Sequence, residues 1–318
     1  MQNPHARMKE TVAARLERVM TDEGAIRAIE RVYEWFHELA TGKSTALKEL
    51  HTRFDFVSIV GIPRNGGSYL TAELFSALGY DPDTVPAAVA HDGMPEARPF
   101  SFSNNNNTWI GTLLSMSEYL TMVEIYFANR SQSGKVVVPK KLTKGVYAGS
   151  FFNGIFGRSA EYYVTVRHPI ACCISTYEKS GGLPSDGRFV SRSNIEKWIK
   201  RDVFQAAATS SGFKKSDYFS AYVRYWELFH INLACSGLLS GRVHAIVPFG
   251  KESMETTAAT FHQRFGSTNS AGEFVVSREL EKRHPDWSER SQLALERVDT
   301  VWRMVGLDFP KTQLLDCY

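Results

Sequence analysis

Residues able to bind an anion cluster first in the run Gly61-Ile62-Pro63-Arg64-Asn65-Gly66-Gly67-Ser68, directly after the strand-like stretch 54–62. Gly61, Gly66 and Gly67 let backbone amides turn inward, and the helix expected next aims its N-terminal amides and dipole at the same point. The spacing is that of a phosphate loop, G-x4-G-K-[ST], with Gly67 where the lysine should stand. Arg64 is the nearby cation, and Ser68 can add a hydroxyl donor. An ordinary loop of this kind in a nucleoside triphosphatase needs the lysine at the β/γ-phosphates and a strand ending in Asp for magnesium. The other strand-like runs end in "VVVPKK", "VTVRHP" and "AIVPFG". A carboxyl edge so basic suits an anion held without a metal, and no metal is expected.

A second group follows the run "EYYVTVRHP". Arg167 ends the strand, Pro169 opens a helix in its first turn, and Ser175 returns about two helical turns on. Arg167 and Ser175 are therefore candidates to grip one phosphate. Lys140 and Lys141, at the end of "KVVVPKKL", point opposite ways on a strand, so one of them is expected to be solvated.

These two groups together resemble the nucleotide-binding segments of sulfotransferases that use 3′-phosphoadenosine 5′-phosphosulfate (PAPS). "IPRNGGSYL" is similar to the family's 5′-phosphosulfate loop, P-[KR]-[ST]-G-[ST]-[ST]-x-L, in which the cation precedes the glycine by two residues, as Arg64 precedes Gly66. Asn65 and Gly67 depart from it, standing where hydroxyl residues are usual. "RHPIACCISTY" resembles the 3′-phosphate segment, R-[ND]-P-x5-S followed by an aromatic, with Arg167, Pro169, Ser175 and Tyr177 in place and His168 for the usual Asn or Asp. Lys140 or Lys141 lies close to where the family has a lysine beside the donor sulfate. The end "QLALERVDTVWRMVGLDFP" resembles the closing helix of bacterial members.

The resemblance implies a P-loop fold and sulfuryl transfer from PAPS to a hydroxyl, or an amine, of a small molecule or carbohydrate. It implies donor binding by Arg64, Asn65, Gly66, Gly67, Ser68, Tyr69, Arg167 and Ser175, with Tyr69 near the adenine. Arg64 and Lys140 or Lys141 would sit where charge grows on the leaving oxygen. The histidine that follows the strand lysine by two residues in the cytosolic branch is Leu142 here, counted from Lys140. The base is expected instead from "AHDGMPEARPFSF", with Glu96 first and His91 second. Two other readings stand beside this one: a P-loop kinase or nucleoside triphosphatase with a displaced cation, and a binding protein without catalysis on the same fold.

These groups need a scaffold. Strands alternate with helices without hairpin signals, which predicts α/β architecture: a three-layer fold with a mostly parallel sheet covered on both faces. Helices are expected near 108–130, 194–209, 216–237, 253–264 and 289–305, and a long Pro- and Asn-rich loop over 81–107. Residues 1–50 read as a helical extension packed on the core, its apolar face formed by Ile26, Ile29, Val32, Tyr33, Phe36, Leu39 and Ala40. Residues 51–318 read as one domain. The aromatic tract 218–226 is expected in the core, and the "HPDW" at 284–287 is given no role.

Composition bounds the rest. Of 318 residues, 43% are hydrophobic and 22% charged, as in ordinary globular chains. A net charge of +3 gives no ground for a nucleic-acid partner, so any electropositive site must be local. The four cysteines show no metal-ligand spacing, and neither a signal-peptide core nor a membrane-length apolar run occurs. A cytoplasmic protein without a membrane partner is expected. The helical extension could cap the acceptor site or make a homodimer contact.

Overall fold

The computed structural model describes residues 22–43, 45–81, 84–91, 107–127, 134–179, 218–240, 242–267, 271–275 and 287–316. Four strands, β1 (Phe54–Val60), β2 (Val136–Leu142), β3 (Ala160–Val166) and β4 (Arg242–Pro248), form one parallel sheet in the order β2-β1-β3-β4. β2 is an edge strand, where Pro139, which has no amide to donate, can stand.

Alternation along β1 divides the core into two layers. Phe56 and Val60 face one side, packed among helices 107–127, 149–156, 169–179, 218–235 and 287–304. Val57 and Ile59 face the other, against Leu70 and Leu74 of the helix Gly67–Ala77 and Met254, Ala258 and Phe261 of the helix Lys251–Phe265. Helices thus cover both faces of a parallel sheet, the three-layer α/β architecture that the strand and helix alternation predicts. The aromatic tract is core: Phe219, Tyr222, Tyr225 and Trp226 are all buried. The helix expected at 194–209 lies outside the described residues.

The sheet order decides where a ligand can sit. β1 is followed by an excursion to β2 on one side, whereas β3 is followed by β4 on the other. The carboxyl ends of β1 and β3 therefore flank a topological switch point, the crevice in which open α/β sheets bind ligands.

Residues 1–21 of the helical extension lie outside the described residues, and the rest differs from expectation in two ways. It is broken at Gly42 (φ 67°) into Glu23–Thr41 and Thr45–Arg53, and the second helix runs directly into β1. The first helix is also rotated. Ile26, Ile29 and Tyr33 are exposed, and Trp35 is the residue buried. A polar anchor sets this rotation. Glu124 on the helix Asn107–Phe127 accepts from Arg31 Nε and Nη2, each at 2.8 Å, and from Trp35 Nε1 at 3.1 Å. Burial raises the Glu124 carboxyl, but the Arg31 and Trp35 hydrogen bonds outweigh it and hold it below its usual value. A forked Arg–carboxylate pair fixes orientation more strictly than a count of apolar residues does. Glu124→Ala is expected to cost about 2 to 3 kcal/mol in urea denaturation, with the largest rise in amide exchange in helix 23–41.

Candidate functional site

The loop after β1 is shaped from within. Asn65 is fully buried, its Nδ2 donating to the Thr165 carbonyl (2.9 Å) and its Oδ1 accepting from the Gly67 amide (3.2 Å). Its side chain staples the loop to β3 and turns away from the crevice. The side chain of Asn65 thus serves the loop's own structure. The staple needs Gly61, because a Cβ there would lie 1.7 Å from Asn65 Nδ2 and 2.4 Å from Thr165 Oγ1. Gly66 has φ 86° and meets Met254 Cε and Phe249, so a side chain is excluded there as well.

Arg64 is the one non-glycine residue with positive φ among the described residues, at 72°. Its carbonyl accepts from Arg167 Nη1 at 2.8 Å, and its own Nε donates to Ser175 Oγ at 3.0 Å. Three residues from two distant stretches of sequence thus meet at the switch point. The Arg64 guanidinium is thus held at Ser175 through Nε.

The cation at the helix end is Lys141. Its Cε lies 3.2 Å from where a Gly67 Cβ would be, so a lysine from the neighbouring strand fills the space beside the loop's missing one. Lys140 points into the opposite layer, as strand alternation requires. The expectation that one of the two is solvated fails: both are buried, 3% and 6% exposed, because the segment ending at His91 covers the end of β2. Lys140 Nζ donates to the carbonyls of Val89 (3.1 Å) and His91 (2.6 Å). His91 Nε2 lies 3.4 Å from Lys141 Nζ and 3.3 Å from Ser68 Oγ. An ammonium only donates, so Nε2 carries the lone pair and the ring proton belongs on Nδ1. Glu96 lies outside the described residues, as do His284, Pro285 and Asp286 of the "HPDW" run.

Helix Pro169–Lys179 begins just beyond β3, as the proline predicts. His168 precedes it, and its Nδ1 accepts from the Ile170 amide at 3.3 Å, the capping work an Asn or Asp does at that place. Burial, then the Arg167 charge, push the His168 pKa down to about 3, so the ring stays neutral and able to accept. The Arg167 carbonyl accepts from the buried Trp226 indole at 3.0 Å.

Sequence reasoning missed the aromatic wall. The Arg167 guanidinium lies 3.8 Å from the Phe249 ring centre, Phe249 meets Phe274, and Phe274 meets Tyr69 at 4.8 Å. The short stretch 271–275 is tied down by Tyr69 Oη to the Gly272 carbonyl (2.7 Å), by the Gly272 amide to Glu73 and by the Phe274 amide to Glu255. Burial first, then Glu73 and Glu255, push the Tyr69 phenol up to about 12. Phe249 could have been found, since it is the first residue beyond β4 and so belongs to the same sheet edge. Phe274 carries no such signal.

The arrangement can hold two anionic groups, one at the helix N-terminus beside Ser68 and Lys141 and one at Arg64, Ser175 and Arg167. Aromatic surface borders the second. No family model, curated protein or solved structure matches the chain.

Two outcomes test the site's construction. Gly61→Ala is expected to lower stability by about 3 kcal/mol in urea titration, because the added methyl collides with the staple. Acid should act through His168, which takes up a proton more readily unfolded (6.5) than folded (about 3). Its contribution is complete above pH 6.5 and is lost as pH falls toward 3. His168→Asn keeps a capping acceptor without this titration, so its stability should fall less than wild type's across that window.

Proposed function

We propose that the chain is a PAPS-dependent sulfotransferase acting on a hydroxyl, or an amine, of a small molecule or carbohydrate. The observation that carries this reading is the meeting of Arg64, Arg167 and Ser175, because spacing along the sequence left their convergence open. A nucleotide with phosphates at both ends of its ribose needs two separate anion grips. The second grip lies beside the partly exposed ring of Phe249, which the buried Phe274 links to the partly exposed Tyr69, and these two rings are suited to take a base.

In the reaction the acceptor oxygen attacks sulfur in line while the sulfur–oxygen bond to the 5′-phosphate breaks, and that bond's electron pair leaves with the phosphate. Lys141, the amide of Ser68 and the helix dipole stabilise the growing charge, the Gly67 amide being held by Asn65. Ser68 adds its hydroxyl. The acceptor proton goes to a base, and His91 suits this role because its Nε2 lone pair lies among these same donors. Arg64, Arg167 and Ser175 hold the 3′-phosphate.

Lys141 beside Gly67 also favours a second reading, a P-loop kinase with its cation supplied by the adjacent strand. The two readings differ in donor. Protein incubated with radiolabelled PAPS and a cell extract should transfer label to a compound that gains one sulfuryl group in its mass. Magnesium-dependent ATP turnover with no label transfer would support the kinase instead. Lys141→Met should weaken binding of 3′-phosphoadenosine 5′-phosphate by about 10- to 100-fold in calorimetry.

A further inference from the structure

Adjacent lysines at a strand end would ordinarily do unrelated things, since their side chains leave opposite faces. Here both reach the same residue. Lys141 meets the ring of His91 at Nε2, and Lys140 donates to the carbonyl of His91 and to that of Val89. Val89 belongs to the four-residue helix Ala87–Ala90 and His91 follows it, so the Lys140 ammonium sits where the short helix leaves its last carbonyls. The same ammonium lies 5.0 Å from the centre of the Tyr119 ring, with which it makes a cation–π contact.

Filling this space does not require a charge. The small cavity that Lys140 lines is walled mainly by rings such as Phe56, Tyr119, Phe152 and Phe156, with Ser58 also on it, and a methionine of similar length would suit it at lower desolvation cost. What an ammonium adds is several donors directed at two carbonyls of one short segment. That segment carries His91 over the phosphate loop.

We propose that Lys140 is a positioning residue: it clamps the backbone of Val89–His91 so that the His91 imidazole is held at Ser68 and Lys141. Lys141 then serves the bound anion, and Lys140 acts on the reaction through His91. The adjacent pair divides into one lysine for the ligand and one for the residue that faces it. The catalytic part of this inference rests on the proposed sulfuryl transfer, and the clamp itself does not.

The test compares Lys140→Met, His91→Gln and the double variant. Hydrogen exchange, which needs no activity, should show amides of residues 87–91 exchanging at least about tenfold faster in K140M, with the rest of the sheet unchanged. Binding of 3′-phosphoadenosine 5′-phosphate should stay within about threefold of wild type in K140M, because no donor to the nucleotide is removed. The transfer rate should fall about 100-fold in K140M and in H91Q alike, and no further in the double variant. Unchanged exchange over 87–91 would overturn the clamp. Multiplying losses in the double variant would overturn its action through His91. A wild-type protein without transferase activity would contradict the functional reading, and the exchange result would still decide the clamp. Should K140M fail to fold, Lys140→Gln, which keeps a neutral donor of shorter reach, is read by the same criteria.

Discussion

Arg64 holds a left-handed backbone that costs a side-chain-bearing residue about 1 kcal/mol, and the crevice is organised around that conformation. Its carbonyl accepts from Arg167, and its side chain reaches Ser175. One residue of the first loop therefore grips both members of the second motif. A hydrogen bond from a charged donor contributes about 1.5 to 3 kcal/mol, enough to offset the strain. The Asn65 staple holds the loop after β1 to β3, and this junction carries the connection on to the helix after β3.

The rest of the scaffold serves that junction. Parallel strands in the order β2-β1-β3-β4 bring the carboxyl ends of β1 and β3 side by side, and the Asn65 staple fixes the spacing between them. Trp226 supports the Arg167 carbonyl from below, and Phe249 stacks on its guanidinium from the end of β4. Several loop and cap residues have structural explanations. Asn65 is a link between the loop and β3. His168 caps a helix as Asn or Asp would, and burial keeps it neutral. Gly67 leaves room for Lys141.

Much of the fold was legible because it rests on local rules. A strand, a glycine turn and a helix start can be read from neighbouring residues, and Pro169 marks a helix start by itself. What was not legible depends on contacts across the sheet. No local rule says that Lys140 and Lys141 are both buried, because the segment that covers them is about fifty residues away in sequence. The rotation of the helix 23–41 was hidden for a similar reason. Counting apolar residues favours Ile26, Ile29 and Tyr33, whereas the distant Glu124 selects Arg31 and Trp35. The aromatic wall is likewise built by residues drawn together from three separate elements.

If the crevice binds one nucleotide through two separated phosphate grips, removing one phosphate from the ligand must cost affinity. Isothermal titration of the wild-type protein with 3′-phosphoadenosine 5′-phosphate and with AMP, which lacks the 3′-phosphate, reads that cost. The first ligand is expected to bind at least about tenfold more tightly, a preference that disappears in Arg167→Met. Equal affinity for the two, or tight binding of magnesium ATP alone, would contradict the two-grip crevice.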